Sequence, residues 1–158
     1  MCTLSTRLKN KRFWVLLVSW AAAAACAAVI FSLSGETAEL SSARSSGVLA
    51  LLLERFGLEL SSHFVRKTAH ALEYCGLALL LSNAYFQTFC AQKPLLAFLS
   101  AALYACTDEI HQYFVAGRAC LLRDVAVDAL GAAAGVLCAA VLIFVCRQIR
   151  IRYMEKRG

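Results

Sequence analysis

The stretch "RKTAHALEYCGLALLL", Arg66–Leu81, decides the architecture. Its first half sets Arg66, Lys67, His70 and Glu73 at near-helical spacing, and its second half is an apolar run of the kind that enters hydrocarbon. Charge carried into such a run is expensive unless it meets partners, so this helix predicts a polar cluster at one end of a membrane span.

The rest of the chain fits that frame. Of 158 residues, 61% are hydrophobic and 16% charged, with a single proline, a composition outside the soluble globular class. A hydrocarbon core about 30 Å thick asks for roughly 20 mostly apolar residues per helix. Four runs meet that length: Phe13 to about Leu33, about Thr68 to Cys90, Pro94 to about Phe114, and about Asp124 to Cys146. The expected fold class is an all-α integral membrane protein, a four-helix transmembrane bundle forming one domain over 1–158. A short amphipathic interfacial helix is expected between helices 1 and 2.

Lys and Arg in short loops orient such a bundle. With both termini cytoplasmic, the inside holds Arg7, Lys9, Lys11 and Arg12, then Lys93, then Arg147, Arg150, Arg152, Lys156 and Arg157, against the remaining six of the 16 basic residues outside. Glu155 is the one acid that falls inside. The net charge of +6 therefore reflects topology, and no nucleic-acid partner is implied. The Ala-rich segment Ala21–Ala28 resembles a cleavage region, but "VIFSL" continues the apolar run after Cys26, which favours an uncleaved anchor.

Of the eight cysteines, Cys26, Cys75, Cys90, Cys106, Cys138 and Cys146 fall in the spans, Cys2 lies inside and Cys120 lies in an outer loop. They show no C-x-x-C pair, so they read as small packing residues with no metal or cofactor attached. The long connection Ser34–Ser62 opens Ser-rich and turn-like. From Gly47 to Leu60 it places Val48, Leu49, Leu52, Phe56 and Leu60 at helical spacing away from Glu54, Arg55 and Glu59, as an interfacial helix or a re-entrant cap would. Ser62 is the expected N-cap of the following helix, and Pro94 suits a first helical turn.

Three segments then deliver polar residues to one level. Lys67, His70 and Tyr74 share a face of the second span, with Glu73 beside Tyr74. "YACTDEIHQYF" puts Tyr104, Asp108, His111 and Gln112 along one stripe, with Glu109 turned about 100° away. "VAGRACLLRD" adds Arg118 and Arg123, and the fourth span begins with Asp124 and Asp128 above Gly131 and Gly135 on the same face. The G-x-x-x-G spacing lets another backbone approach, which turns the acids toward the bundle interior. The cluster predicts a polar pocket opening at the outer leaflet, weighed against a set of ion pairs that fix helix register. His63 stands apart as an interfacial residue.

These blocks resemble the VanZ-like family of small bacterial membrane proteins, named for a protein linked to low-level teicoplanin resistance. The resemblance rests on "RKTAHALEY", "TDEIHQYFVAGR" and "RDVAVDALGAAAG", in that order between Arg66 and Gly135, with "FSLSG" after the first span. Ala116 stands where a proline is frequent in the family. The resemblance implies a four-helix protein of the cell envelope and supplies no reaction.

Two functions follow as expectations. In the first, the pocket binds an anionic lipid head group, a lipid-linked cell-wall precursor or a glycopeptide and contributes to antibiotic or envelope-stress resistance; Lys67, His70, Glu73, Tyr74, Asp108, Glu109, Gln112, Arg118, Asp124 and Asp128 would form the site. In the second, a membrane enzyme works on a lipid-linked substrate by acid–base chemistry, with His70, Glu73, Asp108, Glu109 and His111 as candidates. A metal held by His70, Glu73, Asp108 and His111 is a variant without a known signature.

Overall fold

The computed structural model describes residues 2–57 and 60–155, the side chains of residues 2–9 excepted. Glu59, Lys156 and Arg157, counted above, lie outside the described residues, as do the side chains of Cys2, Arg7 and Lys9.

The described chain is all-α, in five helices: α1 (Cys2–Ser34), α2 (Ala38–Phe56), α3 (Ser62–Phe89), α4 (Pro94–Tyr113) and α5 (Leu122–Glu155). Among the described residues two helices are long and apolar enough to cross a membrane, over Asn10–Ser34 and Leu122–Glu155. Helices α3 and α4 have 28 and 20 residues, but Glu73, Asn83 and Gln87 in one and Asp108, Glu109 and His111 in the other dilute their apolar character.

Helix α3 is the hub, packed against each of the other four and most extensively against α5. Gly131 and Gly135 make that contact possible, because a Cβ on either would collide with the backbone of Ala71 or Cys75 on α3. Helix α1 is keyed to α3 by Asn83 Nδ2 donating to Ser19 Oγ at 3.1 Å and Trp20 Nε1 donating to Thr88 Oγ1 at 3.1 Å. The core uses small side chains, with Ala78, Ala101, Ala105 and Ala132 fully buried around Ile30, Tyr74 and Leu77. Large apolar residues such as Phe13, Trp14, Leu95, Leu103, Leu130 and Leu137 instead point outward, while Asp108, Glu109, Gln112 and Asp128 are buried. A water-facing protein distributes these groups the other way round.

Several boundaries differ from expectation for local reasons. Helix α2 begins at Ala38, before Gly47, and so includes the Ser-rich half, because Thr37 Oγ1 accepts the Leu40 N–H at 3.4 Å and Glu39 suits the first turn. It ends at Phe56, short of Leu60, because Gly57 turns left-handed at φ 65° and its N–H caps Leu53 O. The cap of α3 is Ser61 in place of Ser62: Ser61 is extended and its Oγ accepts the Phe64 N–H at 3.1 Å. Pro94 occupies the first turn of α4. Helix α5 continues past Cys146 through Arg147, Arg150 and Arg152, which are good helix formers.

Candidate functional site

The N-terminal turns of α2 and α3, the end of α4, the 114–121 turn and the start of α5 surround a cavity of about 170 Å³. Arg66, Lys67, Arg118 and Arg123 line it with His63 and His70, and among the described residues Asp124 is its one acidic wall residue. Lys67 Nζ forms an ion pair with Asp124, tying α3 to α5. Arg66 makes no ion pair among the described residues. Burial, and then the nearby charge of Arg66, pull the Arg118 guanidinium below its usual range, while Asp108, Glu36 and Glu109 act the other way.

Arg118 is placed by backbone carbonyls. Its Nε donates to Glu36 O at 2.9 Å, its Nη2 to Leu33 O at 3.5 Å and its Nη1 to Gln112 Oε1 at 3.2 Å. Gly117, at φ 74°, makes the turn that aims it, and Ala116 O accepts the Ala38 N–H, so the turn holds without a proline at 116. Arg118 thus fastens the α4–α5 connection to the end of α1. Glu36 also pairs with Arg44 of α2.

Beneath the cavity lies a buried polar layer. Asp108 Oδ2 accepts Ser34 Oγ at 2.7 Å and Gln112 Nε2 at 3.1 Å, and Gln112 reaches Arg118 in turn. Among the described residues Asp128 Oδ2 is buried without a hydrogen-bond partner. His70 bridges the two layers: it is one of the residues lining the cavity, and its Nδ1 lies 3.8 Å from Glu73 Oε2 and 4.0 Å from Asp128 Oδ1.

The residues singled out from the sequence therefore divide. Lys67, His70, Gln112, Arg118 and Asp124 reach the cavity, while Glu73, Tyr74, Asp108 and Asp128 do not line it. Glu109 is drawn away to cap the turn before α5, its Oε2 accepting the Leu121 N–H at 3.0 Å. His111 is not brought to His70; it stacks on Phe31 of α1, ring centroids 4.2 Å apart. Among the described residues no group of His, Cys, Asp and Glu converges as a metal site would require, so the set His70, Glu73, Asp108 and His111 does not form one. His63 reaches the cavity wall, although nothing in its sequence position marks it, and Ser34 was signalled only by the "FSLSG" stretch.

A model of the VanZ/LLP1 family matches residues 13–144, which takes in α3, α4 and every polar residue just described. No curated protein and no solved structure matches the chain. Membership and the two long apolar helices together point to a membrane protein, in a family linked to the envelope or antibiotic resistance. The chain belongs to the VanZ/LLP1 family.

Proposed function

We propose that this is a four-span protein of the bacterial cytoplasmic membrane, a single domain over 1–158, with both termini cytoplasmic and the cavity open at the outer leaflet. There it binds the phosphate-bearing head group of an anionic lipid or lipid-linked cell-wall precursor, and through that contact it supports envelope or antibiotic resistance. Helices α1, α3, α4 and α5 are the spans. At 1.5 Å per residue, α3 and α4 reach roughly 42 and 30 Å, enough to cross a core of about 30 Å. Their exposed Leu72, Phe89, Leu95 and Leu103 face outward as lipid contacts would. The distribution of Lys and Arg supports the orientation.

One observation carries the ligand class: among the described residues Arg66, Lys67, Arg118 and Arg123 share a cavity wall with one carboxylate, and Arg66 has no ion-pair partner. Arg and Lys around a partly desolvated space favour phosphate through charge-assisted hydrogen bonds. Native mass spectrometry of the protein in mild detergent tests this. Wild type is expected to retain a phosphate-bearing lipid that the Arg66→Gln, Arg123→Gln double variant loses while eluting as a folded protein. Equal retention by a folded double variant sinks the reading.

A further inference from the structure

We infer that the cavity is a hydrolytic site for lipid phosphates, in which His70 takes the proton from an attacking water. The inference rests on the head-group reading above and adds chemistry to it. Of the described histidines, His70 alone both lines the cavity and faces carboxylates within 4.0 Å. Nδ1 lies at ion-pair distance from Glu73 and Asp128; in the inferred site Nε2 serves the cavity, and the two carboxylates steady the protonated ring by charge.

A cavity that only holds an anion gains nothing from acids beneath its histidine, since they oppose the ligand's charge. Asp128 is 1% exposed, with Oδ2 unpartnered among the described residues, and such a group is costly to bury. It is accounted for if the charge it balances forms only during turnover. The space also suffices, because at roughly 30 Å³ per water in the liquid, a cavity of about 170 Å³ admits a phosphoryl group with a water beside it.

The step balances without a co-reactant. The water oxygen bonds to phosphorus as the bond from phosphorus to the lipid oxygen breaks. His70 Nε2 accepts the water's proton and passes a proton to the departing oxygen, so lipid phosphate and water become lipid alcohol, or the shortened phosphate, and inorganic phosphate. Glu73 and Asp128 steady the transient imidazolium as positioning residues. Arg66, Lys67 and Arg118 offset charge on the phosphoryl oxygens.

The test measures binding and release separately on purified full-length protein, with phosphatidic acid and farnesyl diphosphate as probes. Wild type is expected to release inorganic phosphate from at least one probe. His70→Gln is expected to lose at least about 100-fold of that rate, the usual scale of a general base, while still retaining phosphatidic acid. Retention by wild type with no release from either probe overturns the hydrolytic inference and leaves the binding reading standing. Neither retention nor release overturns both. Unchanged release in His70→Gln removes the histidine from the reaction and overturns the inference. If His70→Gln does not fold, Asp128→Asn decides: a tenfold or larger fall in kcat at unchanged KM is expected, and an unchanged kcat overturns the assignment.

Discussion

The α3–α5 seam yields a prediction in which one substitution has opposite signs at three glycines. In an open helix interior, Gly→Ala stabilises by about 1 kcal/mol through backbone entropy. Gly76, in the middle of α3, has nothing within 4 Å of where a Cβ would sit, so Gly76→Ala should gain close to that amount. At Gly131 and Gly135 the new methyl meets the O, C and Cα atoms of Ala71 and Cys75, closer than real Cβ contacts come. These obstacles are backbone, so no rotamer change relieves them and the helices must separate. Overpacking of this kind costs about 1–3 kcal/mol or more. A cost at the upper end of that range, set against the propensity gain of about 1 kcal/mol, leaves each variant losing about 2 kcal/mol or more. The double variant should lose less than the sum, because the first methyl already parts the shared seam. Reversible unfolding in mixed micelles by SDS titration, followed by circular dichroism, measures the four variants against wild type. A gain at Gly131 or Gly135 equal to that at Gly76 would refute the close approach of α5 to α3, and with it the placing of Asp124 and Asp128 against Lys67 and His70.

Three further outcomes are expected. Ser34→Ala removes the 2.7 Å hydrogen bond to buried Asp108 and should cost about 1–3 kcal/mol in the same titration, whereas a neutral result would place Asp108 elsewhere. A double-mutant cycle with Lys67→Met and Asp124→Asn should give a coupling of about 0.5–3 kcal/mol, because both side chains are mostly shielded from solvent, and zero coupling would dissolve the pair. In a variant whose other cysteines are replaced, the exposed Cys120 should react with a membrane-impermeant maleimide added to intact cells; protection until the cells are broken would reverse the proposed orientation.

Helix type, the apolar runs and the stripe Lys67, His70, Tyr74 are legible in the chain because each is a property of one helix, set by 3.6-residue periodicity and local composition. The glycines of α5 are legible for the same reason: their spacing alone marks a face that another backbone can approach. The extent of α2 is less so, because serines are compatible with both turns and helices. Thr37 and Gly57 set its ends by capping geometry, and its packing on α3 adds tertiary support.

The pairing of charges lies beyond any single helix. His70 and His111 sit at the same inferred level, yet the rotation of α4 turns His111 onto Phe31 and Glu109 toward Leu121. His63 looks isolated along the chain and reaches the cavity only because the start of α3 stands beside the 114–121 turn. Arg118 is drawn to the carbonyls of Leu33 and Glu36, acceptors that carry no side-chain signature at all. Periodicity tells how residues are arranged around one axis, so the amino-acid sequence suffices for which faces are polar and at what height along each helix. The angles and offsets between axes arise from packing, here from small residues that let α5 settle on α3, and these decide which polar groups meet in a cavity and which are spent on holding the bundle together.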